Sequence, residues 1–232
     1  MTPRTALVTG ASRGLGRALA GALVTRGWRL VVDGRDPGRL AAAVAGLPDP
    51  GLVTAVAGDV TDPAHRAALA AAVGDRLDLL VNNASDLGPT PLPPLAGLPP
   101  AALERVLAVN TVAPLALLQA VLPALERAGG TVVSVSSDAA VEAYPGWGGY
   151  GASKAALDRL TAVLAVEHPG LRVYAVDPGD MDTDMHRAAA PEDDGLPAPE
   201  TVVPALLRLL DDDAPPSGRV RAADLLPAGV AR

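Results

Sequence analysis

The sequence predicts an α/β fold, a Rossmann-type doubly wound parallel sheet in three αβα layers, forming a single domain over residues 1–232. Short apolar runs rich in Val and Leu alternate with Ala/Leu-rich stretches of helical length, which is the order of a parallel sheet with crossover helices. The runs are apolar throughout rather than at every second residue, as expected of strands covered on both faces. A length of 232 residues suits one α/β domain.

The elements follow in order. "TALVTG" is a strand leading into a helix from about Gly14 to Arg26; "RLVVDG" leads to a helix near Pro37 to Ala45, and "LVTAVAGDV" to one near Ala64 to Val73. "LDLLVNNA" precedes a long helix from about Pro100 to Arg127, "GGTVVSVSS" precedes a helix from about Tyr150 to Glu167, and "LRVYAVDPG" is the sixth strand. A helix near Thr201 to Asp211 and a short last strand within "SGRVRAADLLP" complete the order. Prolines crowd Ser85 to Pro100 too densely for a helix or central strand, so this is a stiff surface loop. Residues 184–200 follow the sixth strand, where a doubly wound sheet places its crevice; we expect a substrate loop there, with the Ala/Pro/acid-rich part from Ala188 to Pro199 acting as a lid.

Composition narrows the function. A formal charge of -7 and a pI near 4.9 disfavour nucleic acid and anionic membranes as partners. There is no cysteine, hence no disulfide framework, thiolate metal site or cysteine nucleophile. "MTPRTALVTG" lacks the apolar core of a signal peptide, so a cytoplasmic protein is expected. His65, His168 and His186 have no zinc spacing, and the acids at 180, 182, 184 and 192–194 lack the spacing of a cation loop, so no metal is expected.

"TGASRGLG", Thr9 to Gly16, lies between the first strand and the first helix. Glycines at 10, 14 and 16 permit a tight turn and close approach of a pyrophosphate, whose charge meets the amides at the helix N-terminus. With this turn the chain resembles the short-chain dehydrogenase/reductase family, in its compact single-domain branch. Thr9, Gly10, Gly14 and Gly16 match the family's glycine motif, Asp59 matches its acid after the third strand, and Asn82, Asn83 and Ala84 match its "NNAG", with Ser85 in place of the last glycine. The resemblance runs from Thr5 to about Thr183. The cofactor-binding set it implies is Gly10, Ser12, Arg13, Gly14, Leu15, Gly16, Arg35, Asp59, Val60, Asn83, Ala84, Tyr150, Lys154, Pro178, Gly179 and Thr183. Pro178, Gly179 and Thr183 would pass the nicotinamide.

The family selects its cofactor at the end of the second strand. There the NAD-selecting acid falls on Gly34 and the NADP-selecting arginine on Arg35, with Arg13 a second cation near the same phosphate. Two guanidiniums favour NADP(H). Asp33 argues for NAD(H), because a one-residue shift of register would turn it to the ribose.

"YGASKAAL" sets Tyr150 four residues before Lys154, on one face of a helix. The resemblance completes a catalytic tetrad of Asn110, Ser137, Tyr150 and Lys154. Tyr150 would give and take the proton of an alcohol oxygen, Lys154 would favour its phenolate and hold the nicotinamide ribose, Ser137 would hydrogen-bond the substrate oxygen, and Asn110 would hold a water. Ser136 is expected on the opposite face of its strand, Tyr144 as a pocket wall, Trp147 as a substrate or structural aromatic, and His186 near the pocket.

These readings imply an NADP-dependent reductase of an aldehyde or ketone, equivalently an alcohol dehydrogenase, acting on a small molecule. The alternative is a non-catalytic nucleotide-binding sensor or partner-binding module; a sugar epimerase or dehydratase on this fold is a third. The Ala/Leu-rich helices resemble the family's four-helix contact, so a homodimer or homotetramer is expected.

Overall fold

The computed structural model describes residues 3–226. Pro227, the end of the segment expected to carry the last strand, lies outside them.

The strands β1 (Thr5–Val8), β2 (Arg29–Gly34), β3 (Val53–Ala57), β4 (Leu79–Asn82), β5 (Thr131–Val135), β6 (Arg172–Asp177) and β7 (Gly218–Arg221) form one sheet in the order β3-β2-β1-β4-β5-β6-β7. All six pairings are parallel. The chain winds outward from β1 to β3 and returns to β4 on the other side of β1, with Val8 paired to Val32 on one flank and Val81 on the other. That reversal opens a crevice above the carboxyl ends of β1 and β4.

Strand pleat divides the core in two. Ala6, Val8, Leu30 and Val32 face helix α1 (Gly14–Thr25), which presents Leu15, Leu19 and Leu23, and helix α8 (Val203–Arg208), which adds Leu206. Leu7, Val31 and Val173 face the other way, against Leu69 of α3 (Pro63–Val73), Leu117 and Leu125 of α5 (Ala113–Ala128), and Leu164 of α6 (Gly148–Glu167). Each such side chain contributes about 1.5–3 kcal/mol on burial. The edge strands depart from the two-face rule: β3 leaves Thr54 and Ala55 exposed, and β7 carries Arg219 and Arg221. Charges on β7 suit an open edge.

Local chemistry sets the boundaries. Asp36 and Asp62 cap α2 (Pro37–Ala45) and α3 by accepting the Arg39 and Ala64 amides, and proline opens both helices. The long helix expected over 100–127 is interrupted. It comprises α4 (Pro100–Leu107), a π-helical turn Ala108–Val112, and α5. Pro114 has no N–H to donate to the Asn110 carbonyl four residues back, and the Ala113 amide bonds to the Ala108 carbonyl instead. Pro100–Ala128 is long and apolar enough to cross a membrane, but its Val106, Leu117, Val121 and Leu125 lie in the core.

Two other expectations are corrected. Residues 184–200 are not all loop: Thr183 caps a helix, α7 (Asp184–Ala189), by accepting the His186 amide. The helix near 201–211 shortens to α8 after a 3₁₀ turn at Pro199–Thr201. The short last strand expected within "SGRVRAADLLP" is present as β7, and a helical turn, α9 (Ala222–Leu225), follows it.

Candidate active site

The glycine turn joins β1 to α1 with Gly10 and Gly14 at φ +68° and +53°, conformations that disfavour other residues. A Cβ on Gly10 would come 2.9 Å from the Ala84 backbone, and one on Gly16 would come 2.5 Å from Asn83 Nδ2 and the Gly10 carbonyl. The turn therefore presses against the end of β4. Asn83 braces it, donating from Nδ2 to the Thr9 and Gly10 carbonyls at 2.8 and 3.2 Å, while Thr9 Oγ1 accepts the Asn83 and Ala84 amides. No side chain caps α1, unlike α2, α3 and α7, so its first amides face the crevice with the helix dipole behind them. That is an anion site by construction, and it fits a dinucleotide pyrophosphate.

One cleft of about 480 Å³ runs from this turn to the catalytic candidates. It is lined at one end by Ser12, Arg13, Leu15, Arg35, Asp59 and Val60, and at the other by Ser137, Tyr150, Lys154, Pro178, Gly179 and Thr183. Thr183 reaches back to the turn: a Cβ on Gly14 would touch its methyl at 3.5 Å. Arg35 is exposed and makes no ion pair among the described residues. Arg13 pairs with Asp184 of α7 at 2.6 Å, so one of the two expected phosphate cations is already engaged. Burial opposes ionisation of Asp59, but the Thr61 hydroxyl and amide and the Arg105 guanidinium at 2.9 Å outweigh it and hold the carboxyl at about 2.

Asp33 borders the cleft, but its carboxylate is engaged within the protein. It is buried, with Oδ1 accepting the Gly10 amide at 2.6 Å and Oδ2 3.1 Å from His65 Nε2. At Gly34 a Cβ would meet Ser12 Cβ at 3.1 Å, leaving little room for an acid.

At the chemical end, helix α6 buries Tyr150, Lys154, Leu157, Thr161 and Leu164 on one stripe. The ladder of the preceding strand ends at Val135, and Ser137 opens the next turn, its Oγ donating to Asp138 Oδ1 at 3.0 Å and accepting the Ala139 amide. Ser136 Oγ is buried without a hydrogen-bond partner among the described residues. Burial raises the Tyr150 phenol well above its ordinary pKa; the facing Ser85 and Ser137 hydroxyls pull it down, and the Asp138 and Asp177 charges push it up. Burial lowers the Lys154 ammonium to about 8, partly offset by Asp158 one turn on. Lys154 Nζ donates to the Val135 carbonyl at 2.8 Å. Trp147 stacks edge-on to Tyr150, with centroids 5.7 Å apart.

Asn110 is fully buried in the π turn. Its side chain is saturated: Nδ2 donates to the Asp86 carbonyl and Ser153 Oγ, and Oδ1 accepts the Asp86 amide at 2.7 Å and the Ser85 hydroxyl at 3.2 Å. Asn110 thus fastens the loop after β4 to α6. Tyr144, expected as a pocket wall, lies outside the cleft lining and donates to Asp138 Oδ2 at 2.9 Å. His186 lines the cleft, held between Asp193 and Asp180 at 2.9 and 3.6 Å. Asp182 and Asp184 both pair with Arg187, so these acids are largely neutralised.

Several contributors carried no signal in the sequence. Arg219 of β7 donates to the Ser137 carbonyl at 3.0 Å and pairs with Asp158 at 3.1 Å and Asp177 at 3.4 Å; Asp177 in turn accepts the Gly179 amide. One guanidinium therefore ties together the segments bearing Ser137, Lys154 and the Pro178–Gly179 turn. Asp138, beside Ser137, was legible only by adjacency.

The short chain dehydrogenase family matches residues 4–194. Sepiapterin reductase of Mus musculus is 36% identical over 199 residues, 79% of this chain and 76% of the mouse protein. The structure of a short chain dehydrogenase from Pseudomonas syringae superposes with a TM-score of 0.87 at 32% identity, over 94% of each chain. An alcohol dehydrogenase from the archaeon Thermococcus sibiricus, complexed with 5-hydroxy-NADP, superposes with a TM-score of 0.85 at 27% identity, over 100% of this chain and 99% of that one. With a glycine turn feeding the cleft that holds Tyr150 and Lys154, this chain belongs to the short-chain dehydrogenase family and is an NAD(P)-dependent oxidoreductase.

Proposed function

We propose that the protein is an NADP(H)-dependent reductase of an aldehyde or ketone, or the corresponding alcohol dehydrogenase, with Asn110, Ser137, Tyr150 and Lys154 as its catalytic set. The observation that carries this reading is the single cleft joining the α1 N-terminus to the Tyr150 phenol. The bound nicotinamide supplies or takes up hydride. Tyr150 gives its phenolic proton to the oxygen of the carbonyl as charge develops there, and recovers it in the reverse direction. Ser137 turns its hydroxyl proton from Asp138 Oδ1 to the same oxygen and fixes its position. Lys154, lowered to about 8 by burial and therefore mainly charged at neutral pH, favours the phenolate that proton transfer leaves behind. Asn110 holds the loop at Ser85 and Asp86 against α6 and so keeps the phenol's surroundings in register.

NADP(H) is favoured over NAD(H) by three features. Gly34 offers no acid and little room for one, Asp33 is bound away beneath the turn, and Arg35 is exposed at the cleft. The Thermococcus sibiricus structure, solved with an NADP derivative, supports the same choice. Gly10, Ser12, Gly14, Leu15 and Gly16 would hold the pyrophosphate, Asp59 and Val60 the adenine, and Pro178, Gly179 and Thr183 the nicotinamide; Asn83 and Ala84 act by bracing the turn. Residues 184–200, with α7 at their start, form the substrate loop. Val112, at the end of the π turn before α5, and Val163 and Val166 of α6 are exposed, and these two helices suit a homodimer contact.

The test is oxidation of NADPH and of NADH by the purified protein with a panel of aldehydes and ketones. Turnover with NADPH and at least one carbonyl compound is expected. Tight NADPH binding with no turnover across the panel in either direction would favour the non-catalytic sensor instead.

A further inference from the structure

Asp33 and His65 are a buried carboxylate and imidazole that the chemistry above does not use. Their side chains are 2% and 5% exposed. Asp33 is the penultimate residue of β2, on the face that meets α3, and His65 stands in the first turn of α3. The carboxylate can only accept, so both of its contacts are donors: the Gly10 amide to Oδ1 at 2.6 Å and His65 Nε2–H to Oδ2 at 3.1 Å. The imidazole is seated by a further accommodation, since any Cβ on Gly58 would collide with its ring. Gly58 immediately precedes Asp59 and donates its own amide to the Gly34 carbonyl. The pair thus touches the glycine turn, the end of β2 and the end of β3, the three segments around the cleft's adenosine end.

Asp33 also borders that cleft. A carboxylate free to rotate there would hydrogen-bond a ribose 2′-hydroxyl and repel a 2′-phosphate. Held by two donors, one on each oxygen, it is fixed toward the Gly10 amide and the His65 ring and is not free to rotate. We propose that His65 is a positioning residue that sets cofactor choice, anchoring the Asp33 carboxylate against the Gly10 amide and so admitting the 2′-phosphate of NADP(H). The proposal rests on the NADP(H) reading above and deepens it: Arg35 attracts the phosphate, and His65 holds back the carboxylate that would otherwise turn toward it.

The test measures dissociation constants of NADPH and NADH by fluorescence titration, without substrate, for the wild type and for His65→Leu, His65→Gln, Asp33→Asn and the His65→Leu/Asp33→Asn pair. A wild-type preference for NADH would refute the NADP(H) reading itself, whatever the variants do. His65→Leu is expected to lower the NADPH-over-NADH preference by about tenfold or more, as an unscreened like charge near the phosphate requires. His65→Gln, which keeps a donor, should retain most of the preference. The double variant should regain it, because the carboxamide that replaces the Asp33 carboxylate carries no charge. An equal loss of affinity for both cofactors in His65→Leu would show a merely structural role and overturn the proposal. If His65→Leu fails to fold, Asp33→Asn decides: the preference should persist or grow, and its loss would overturn the proposal.

Discussion

Lys154 Nζ lies 5.4 Å from the centre of the Tyr150 ring and donates to the Val135 carbonyl, the last of its strand. The ammonium is therefore held close enough to stabilise a phenolate but does not bond the phenol directly. Tyr150→Phe keeps the ring, its edge-on contact with Trp147 and the cleft shape while deleting the proton. Turnover should fall by about 10²- to 10⁴-fold, the usual worth of a positioned acid, with NADPH affinity changed less than about threefold. Steady-state turnover assays and cofactor titration on the same preparation check this; full activity would remove Tyr150 from the chemistry.

The same lysine makes a stability prediction. Its folded pKa of about 8 lies below the ordinary 10.5, so between those values the unfolded chain binds more protons than the native one. Stability from this group therefore rises as pH increases from about 8 to 10.5, by about 3 kcal/mol at most. Tyr150, raised by burial, opposes it only above its ordinary value of 10, where the unfolded chain loses the phenolic proton first. Denaturant unfolding of the cofactor-free protein from pH 7 to 10 should show this slope, and Lys154→Met should flatten it. An unchanged slope in the variant would mean that other groups dominate.

Arg219 offers a prediction at a distance from the reacting atoms. Removing it leaves the Asp177 and Asp158 carboxylates without their cation and releases the Ser137 carbonyl. Arg219→Met should cost about 2 kcal/mol of stability. Asp177 already pushes the Tyr150 phenol up, and unmasking its charge pushes it further. The alkaline rise of alcohol oxidation, which needs the phenolate, should then move to higher pH. Arg219→Lys should restore part of the position of that limb; a variant that loses stability but keeps the wild-type pH profile would confine Arg219 to a scaffold role.

The parallel sheet, the glycine turn at Gly10 and the pairing of Tyr150 with Lys154 on one helical face could be read from local pattern: unbroken apolar runs, a glycine turn between strand and helix, a four-residue helical spacing. Ser137 carries no such pattern and is reached only through the family resemblance. The interruption at Asn110 depends on Pro114, whose missing amide is visible in the sequence but whose outcome, a π turn rather than a kink, is set by packing against α6. Asp33 illustrates a different limit. A one-residue shift of register would turn it to the ribose, yet its carboxylate is held by the Gly10 amide and by His65, 32 residues further on and carried on another layer. Arg219 is more remote still, joining Ser137 across 82 residues of sequence.

Gly34 yields the last prediction. An acid there is what an NAD-dependent relative of this fold would use, so Gly34→Asp is the direct attempt to switch the cofactor. The position is crowded: Ser12 Cβ and Oγ would lie 3.1 and 3.2 Å from the new Cβ, and Leu40 Cδ1 3.5 Å. Ser12 belongs to the glycine turn, so displacing it disturbs the pyrophosphate site as well as the ribose. Gly34→Asp alone should weaken NADPH by about tenfold or more through charge repulsion, with little gain for NADH. Adding Ser12→Gly removes both close atoms and should let the carboxylate reach the ribose hydroxyls, so that NADH binds more tightly than in the wild type. Titration of both cofactors against the three proteins separates the two effects. Strong NADH binding by Gly34→Asp alone would show that the turn yields easily, and that charge rather than space governs selection at the end of β2.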